Sequence, residues 1–396
     1  MNRILTILLA CALALAACSA PAPSGGSQPP LPAASVPAPE PEPGPQPQPE
    51  PDPEPEPPPV FQWRTEAPEE HQMDPEVLDH LHRALAGSSV YAMVTVKDGV
   101  IIDEYYQPGR DENSVFDLHS CSKSFTSALL GIAIQEGYIG GVDDLLSDYL
   151  PQAARLEGAK KELTLRHLLT HTSGLEWYEW GGGASNWSEF RRAENWVDYI
   201  LGRRLVARPG ERFNYSTGNT HLLAAAIEAA TGKGLLEYGK EALFDRMGMA
   251  SITWGADPQG IADGGNGVSV TARDAARFGQ LFLQGGVWEG EQLVPADWVK
   301  ESTTAQNNGA GDGTGSYGYQ WWVCSFTANG YGTYAAPHGA GKYDCYYAFG
   351  AWGQFILVVP ELQLVTVIAS AGPQNSYAPR PYFTDYILSA YTGGTF

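Results

Sequence analysis

Cysteine is scarce. Five occur in 396 residues, with no Cys-x-x-Cys pair and no cysteine/histidine cluster at metal-ligand spacing, so nothing indicates a zinc site. The Gly-x-Ser-x-Gly elbow is absent, which removes the main competing signature of a nucleophilic serine. There is no His-x-His-x-Asp run of the kind that holds hydrolytic metal ions. Positive charge is also short. Lys and Arg total 24 against 45 Asp and Glu, a net charge of −21, which disfavours nucleic acid and anionic membrane surfaces as partners. No internal repeat is evident.

Proline and glycine are abundant, and the prolines concentrate near the N-terminus. Residues 1–17 carry one base, Arg3, then an apolar run from Ile4 ending in small residues. That is the composition of a secretory signal, too short for a stable membrane span. Its end, Leu15-Ala16-Ala17-Cys18, resembles the bacterial lipobox, in which the cysteine is lipidated and becomes the new N-terminus. An ordinary signal with an incidental cysteine is the alternative. The lipobox reading implies export and a lipid anchor at Cys18, holding the chain at a membrane of the cell envelope because each buried methylene contributes about 0.8 kcal/mol. From about 19 to 59 proline dominates, alternating almost strictly with Glu, Asp and Gln after Pro37. Proline fixes φ and removes backbone donors, so a polyproline II spacer is expected, reaching on the order of 100 Å. A ligand for proline-binding domains is the alternative. The organisation read from the sequence is a signal over 1–17, a lipidated cysteine and spacer over 18–60, and a folded domain over 61–396.

Within 61–396, Val77, Leu78, Leu81 and Leu85 fall at helical spacing after an Asp74-Pro75 start signal. Residues 91–96 and 100–106 alternate apolar and polar about Lys97-Asp98-Gly99, a hairpin pattern. Two more strand-like runs, 355–359 and 364–369, precede a last helix near 382–390, and the long middle, 120–300, reads as mostly helical. Elements from both chain ends suggest one antiparallel sheet flanked by helices, with a helical domain inserted into it. The fold class is α+β. Export makes a Cys324–Cys345 disulfide one option and free thiols the other; Cys121 reads as a small apolar core residue.

The chemistry concentrates in His119-Ser120-Cys121-Ser122-Lys123-Ser124-Phe125-Thr126, which opens an apolar-periodic helix running to about Glu136 and stopped by Gly137. Ser120 and Lys123, at i and i+3, share a helix face. Ser120 in the first turn feels the positive end of the helix dipole, which favours a developing alkoxide. A buried lysine with a lowered pKa accepts the hydroxyl proton. Ser-x-x-Lys alone is a weak pattern, but it occurs here once, at a helix start and after a strand pair.

The segment 120–137 resembles the nucleophile helix of serine β-lactamases and penicillin-binding proteins, especially the class C branch with its esterase and oligomer-amide hydrolase relatives. Four further segments match that family in order: 163–175 with His171-Thr172-Ser173-Gly174, 209–216 with Tyr215, 270–279, and Tyr317-Gly318-Tyr319-Gln320-Trp321-Trp322. The resemblance covers roughly 75–395. It implies a Ser120 acyl-enzyme formed with an ester, amide or peptide-like carbonyl substrate, with Lys123 as base or proton relay. Tyr215 would exchange protons with the leaving group and activate water, and no metal or organic cofactor is called for. It also implies an oxyanion site made by the Ser120 amide and the Phe349–Gly350 region. Without the family, Tyr215 reads rather as a core tyrosine; the resemblance reverses that.

Two departures narrow the substrate. The family's Tyr-x-Asn motif is Tyr215-Ser216-Thr217 here, with Asn219 following, and the Lys-Thr-Gly motif expected near 346–350 is replaced by Tyr346-Tyr347-Ala348-Phe349-Gly350. Loss of that lysine, the usual partner of a lactam carboxylate, favours esters or uncharged amides unless Lys342 or His338 substitutes for it. Trp177 and Trp180, in an aromatic run about Gly181-Gly182-Gly183, are candidate pocket residues with Asn219; the alternative is that these rings fill the helical domain. His119, His167 and His171 are assigned structural roles by the family logic. Two readings stay open beside the hydrolase: a β-lactamase or D-alanyl-D-alanine carboxypeptidase, and an acylatable lipoprotein that senses wall fragments. Nothing in the sequence sets an oligomeric state.

Overall fold

Alternation along the strands sorts the apolar residues onto the two faces of one sheet. The computed structural model describes residues 61–179, 186–330, 337–373 and 376–393; Cys18, the spacer and Trp180 lie outside them. The main sheet is built from β1 (Val90–Lys97), β2 (Val100–Tyr106), β3 (Ser316–Tyr317), β4 (Trp322–Thr327), β5 (Lys342–Gly350), β6 (Gln354–Val359) and β7 (Leu364–Ser370). Their order is β2-β1-β7-β6-β5-β4-β3, antiparallel throughout. The N-terminal hairpin therefore pairs with the last strand through β1 and β7, as expected from the sequence, and the chain between β2 and β3 forms the helical insertion.

Every residue of β6 and β7 is buried, because helices cover both faces. Phe355, Leu357, Val359, Leu364 and Ile368 face α1 (Pro75–Leu85) and the C-terminal helical segment with Phe383, Ile387 and Leu388. Asp74 caps α1 by accepting the Glu76 N–H at 2.9 Å, the start that the Asp-Pro pair predicts. Ile356, Val358, Val365 and Val367 belong instead to the core shared with the insertion. Gly279 there lets a helix lie on the sheet: a Cβ on it would come 2.6 Å from Val365 Cγ1.

At the centre of the insertion runs α2 (Ser122–Gln135), buried from Ser122 to Ala133, as a helix apolar on all sides must be. Its hydroxyls still need acceptors. Ser124 donates to the Gln320 carbonyl at 2.7 Å, Thr126 to Gly264 at 2.8 Å and Ser127 to Tyr319 at 2.8 Å. These bonds clip two distant loops to the helix. Gly137, at φ 79°, ends the turn after it. One refinement concerns the start: Ser120 lies on a short 3-10 turn, His119–Cys121, immediately before the α-helix. The insertion also carries a small three-stranded sheet of Val115–Asp117, Val268–Thr271 and Thr253–Trp254.

Cys324 and Cys345 sit opposite each other on β4 and β5, yet both are free thiols, as is Cys121. Phe125 of α2 stacks on Phe278 with centroids 3.8 Å apart and both rings fully buried. Phe125→Ala is expected to destabilise the domain by about 3–5 kcal/mol, seen in urea unfolding as a lower midpoint at unchanged slope. A loss below about 1 kcal/mol would show that this stack does not hold the helix in place.

Candidate active site

Lys123 is 1% exposed, and its ammonium reaches three acceptors. It donates to Ser120 Oγ at 3.0 Å, Thr217 Oγ1 at 2.9 Å and the Gly265 carbonyl at 2.9 Å. Three segments remote in sequence supply them. Ser120 comes from the turn before α2. Thr217 is the first residue of α3 (Thr217–Thr231), capped by Ser216, whose hydroxyl accepts the Asn219 N–H at 3.2 Å. Gly265 belongs to a loop that must come very close: a Cβ there would stand 2.7 Å from Thr217 Cγ2 and 3.3 Å from Lys123 Nζ. Burial lowers the Lys123 pKa to about 8, while Glu179 and Asp263 hold it up. A near-neutral amine thus lies within hydrogen-bond reach of a serine hydroxyl, the arrangement a nucleophile and its base require.

Ser120 Oγ also donates to Asn266 Oδ1 at 3.2 Å. Tyr215 directs its hydroxyl at Ser120, and burial raises its pKa well above the ordinary value. Lys123 Nζ lies over the Tyr215 ring, 5.0 Å from the centroid. Burial thus favours the phenol form of Tyr215 over the phenolate.

A cavity of ≈ 160 Å³ opens at Ser120, lined by Tyr215, Ala310, Asp312, Thr314, Trp322, Phe349, Ala351 and Tyr377. Its aromatic walls are ordered by stacking. Tyr215 lies against Trp322 at 5.7 Å and 18°, and Phe349 against Tyr377 at 4.4 Å and 21°. A second depression of ≈ 610 Å³ lies on the Asn266 side, with His119, Trp187, Arg191, Trp254 and Asp263 in its walls.

The structure brings together Ser120, Lys123, Tyr215 and the end of β5. Pairing of β5 with β4 stops at Tyr347↔Trp322, whereas pairing with β6 continues to Gly350↔Gln354. Ala348–Gly350 thus run beyond the last β4 pair, beside the turn that carries Ser120. A side chain at Gly350 would collide with the Leu118 carbonyl at 2.2 Å, so only glycine allows this approach.

Other candidates fall elsewhere. Trp177 is 3% exposed and does not line the Ser120 cavity. It packs on Phe190 at 5.5 Å and donates its indole N–H to Glu179, the core role of the two weighed for these rings. Asn219 is fully buried one turn into α3, with its amide 3.5 Å from His171 Nδ1, and is also absent from the cavity wall. Lys342 begins β5 opposite Thr327, about 23 Å of strand from Phe349, and His338 pairs with Asp74 at 2.8 Å. Neither replaces the missing family lysine. His167 Nδ1 caps Thr164 N at 3.1 Å, and His171 is fully buried against Tyr215 at 4.7 Å. His119, at φ 48°, lines the second depression.

Thr217, Asn266 and Glu179 escaped the sequence reading. Thr217 occupies the third place of the tyrosine motif, where the family's asparagine is expected. Asn266 sits in Gly264-Gly265-Asn266-Gly267, and a glycine cluster of that kind signals close backbone approach. Glu179 is the second of two acids, after Glu176, in an aromatic run, and is 8% exposed. It accepts from the Thr217 N–H at 2.9 Å and from the Thr217 hydroxyl.

The family model for Beta-lactamase matches residues 77–387. The chain belongs to the beta-lactamase family of serine hydrolases. Among its relatives, a 6-aminohexanoate-dimer hydrolase of Paenarthrobacter ureafaciens is 26% identical over 266 residues, 62% of this chain and 67% of that protein. The D-alanyl-D-alanine-carboxypeptidase/endopeptidase AmpH of Escherichia coli K12 is 28% identical over 240 residues, 53% of this chain and 61% of the relative. In solved structures the fold is shared with a 6-aminohexanoate-dimer hydrolase candidate from Bacillus anthracis, at TM-score 0.65 and 22% identity, covering 83% of this chain and 87% of that one. The antiparallel sheet with its helical insertion is the fold of this chain that matches that structure.

The Lys123 pKa makes a pH test direct. The amine is protonated below about 8 and neutral above it, so base-assisted attack by Ser120 strengthens as pH rises through that value. Labelling of Ser120 by an uncharged fluorophosphonate is expected to accelerate with pH to a plateau, half-maximal near 8. A flat profile would remove Lys123 as the base.

Proposed function

We propose that this family member is an acyl-enzyme-forming hydrolase of esters or uncharged amides, with Ser120 as nucleophile and Lys123 as base. The observation that carries this reading is the 3.0 Å contact of Ser120 Oγ with a fully buried lysine whose pKa is lowered to about 8. Ser120 Oγ attacks the carbonyl carbon and its proton passes to Lys123 Nζ. The carbonyl oxygen becomes an oxyanion between the Ser120 turn and the end of β5 near Phe349 and Gly350. As the bond to the leaving group breaks, Tyr215 supplies the proton that group needs and is itself made whole by the proton held on Lys123. Water then attacks the ester carbon of the acyl-enzyme, its proton passing to the neutral Lys123 amine, and Ser120 Oγ departs and takes that proton back from Lys123.

The cavity walls favour the substrate class. Four aromatic rings and Asp312 surround it, and no lysine, arginine or histidine is among its described lining residues. An anionic group, such as the carboxylate of a penicillin, meets a carboxylate there instead of a cation and is disfavoured. An apolar acyl or leaving part is well matched. The relative named as a 6-aminohexanoate-dimer hydrolase supports hydrolysis over a sensing role.

Ser120→Ala is expected to abolish p-nitrophenyl ester turnover by the 61–396 domain, while the unmodified domain opens a chromogenic cephalosporin poorly. Rapid cephalosporin opening would overturn the substrate class, and stable acylation without turnover would favour a sensor. Full ester turnover in the variant would sink the assignment of Ser120.

Export and anchoring through Cys18 belong to the same proposal, supported by the Leu15-Ala16-Ala17-Cys18 run. No helix among the described residues is long and apolar enough to cross a membrane. In a bacterial host, the full chain is expected to incorporate labelled palmitate and the Cys18→Ser chain to lose the label. Equal labelling would place any lipid elsewhere.

A further inference from the structure

We propose that Glu179 is a positioning residue that aims the Lys123 lone pair at Ser120, acting through the hydroxyl of Thr217. The inference rests on the serine-hydrolase reading above and asks how the base is oriented within it.

The argument counts donors and acceptors. A neutral lysine amine has two N–H bonds and one lone pair, and three groups surround Lys123 Nζ: Ser120 Oγ, Thr217 Oγ1 and the Gly265 carbonyl. A carbonyl can only accept. The Thr217 hydroxyl carries a single hydrogen, and that hydrogen is given to Glu179 Oε1. Toward Lys123, Thr217 is therefore an acceptor too. Both N–H bonds of the neutral amine are consumed by Gly265 and Thr217. The lone pair is left for the third neighbour, Ser120, whose hydroxyl alone can donate to it, by turning its hydrogen from Asn266 Oδ1 to the amine. The carboxylate thus fixes the polarity of the chain Glu179–Thr217–Lys123–Ser120, which Thr217 by itself would leave open in both directions.

Glu179 is held for this task. Its Oε2 accepts from the Trp177 indole N–H and from the Thr217 backbone N–H at 2.9 Å, which leaves Oε1 toward the Thr217 hydroxyl. Trp177 is in turn locked under α3, where a Cβ on Gly218 would touch its ring at 2.9 Å. The charged or titratable groups facing Lys123 are Glu179, Asp263 and Cys121, with Tyr215 and His171 below and His119 beside them. Of these, Glu179 is the first-ranked influence holding the lysine pKa up against burial.

Glu179→Gln tests the polarity. Two N–H donors, the Trp177 indole and the Thr217 amide, converge on the Oε2 position, which favours the glutamine oxygen there and its NH2 toward Thr217. The Thr217 hydroxyl then accepts from the glutamine and turns its hydrogen on the lysine lone pair, drawing it away from Ser120. Ester kcat is expected to fall roughly 100-fold, as for a misoriented catalytic group. The acidic limb of kcat/KM should move to lower pH, because a carboxylate that favours the ammonium form is gone. Loss of an ordinary structural prop would lower the rate without moving that limb. Thr217→Val should lose a similar factor and Thr217→Ser should recover most of it; this pair decides the matter if the Glu179 variant does not fold. A Glu179→Gln enzyme within threefold of the unmodified rate, or equal rates for the two Thr217 variants, overturns the proposal. Ser120→Ala run alongside separates the cases: if it stays active the hydrolase reading has failed, and if it is inactive while Glu179→Gln is not, this inference alone has failed.

Discussion

Lys123 has to be buried and still satisfied. Taking an ammonium out of water costs several kcal/mol unless its hydrogens find acceptors, and its three acceptors come from three places in the chain: Ser120, Thr217 and Gly265. That requirement organises the insertion. Gly265 must be glycine to let its carbonyl approach, and Thr126 of the same helix, one turn beyond Lys123, anchors the adjoining Gly264 carbonyl at 2.8 Å. The helix that supplies the lysine therefore also positions the loop that satisfies it. Thr217 is fixed by opening α3 under the Ser216 cap and by its bonds to Glu179.

The sheet contributes the other half of the site. Its central strands β6 and β7 are buried on both faces, so they back a rigid wall, and the wall reaches the nucleophile only where β5 outruns β4. At that point Gly350 meets the Leu118 carbonyl, two residues before Ser120. The same strand end carries Phe349, whose stack on Tyr377 forms one side of the cavity, while Trp322, where the β4 pairing ends, stacks on Tyr215 to form another. Nucleophile, strand end and aromatic wall are thus set by one register.

What the sequence made legible follows from the range of each interaction. Period-two alternation in 91–96 and 100–106, the strand-like runs 355–359 and 364–369, and the Asp-Pro start of α1 are local signals, and the strands and helix stand where those signals put them. Ser120 and Lys123 are three residues apart on one turn, so their meeting could be read directly. Thr217 lies 94 residues from Lys123 and Gly265 lies 142 away, and no local pattern announces either contact. Trp177 and Asn219 looked like pocket residues because aromatic and amide side chains near a motif suit a cleft equally well as a core. Their direction is decided by α3, which turns Asn219 inward toward His171 and closes over Trp177. Lys342 failed as a substitute cation for a simpler reason: a strand is long, and it sits at the wrong end of β5.

In the proposed mechanism, burial also separates the acid from the base. Desolvation disfavours whichever form of a group is charged, so it pushes an amine and a phenol in opposite directions. Lys123 is brought down to about 8, while Tyr215, against the same lysine, is driven well above its usual value. His171 beneath the tyrosine is buried and its pKa is lowered well below the ordinary value, so it adds no positive charge that would stabilise a tyrosinate. Two neighbouring groups whose pKa values are separated by one environment divide proton acceptance from proton donation between them. The Lys123 nitrogen lies over the face of the tyrosine ring, and its hydrogen bonds go to Ser120, Thr217 and Gly265. In the proposed mechanism, the geometry that satisfies the lysine therefore also leaves the phenol to serve as the acid.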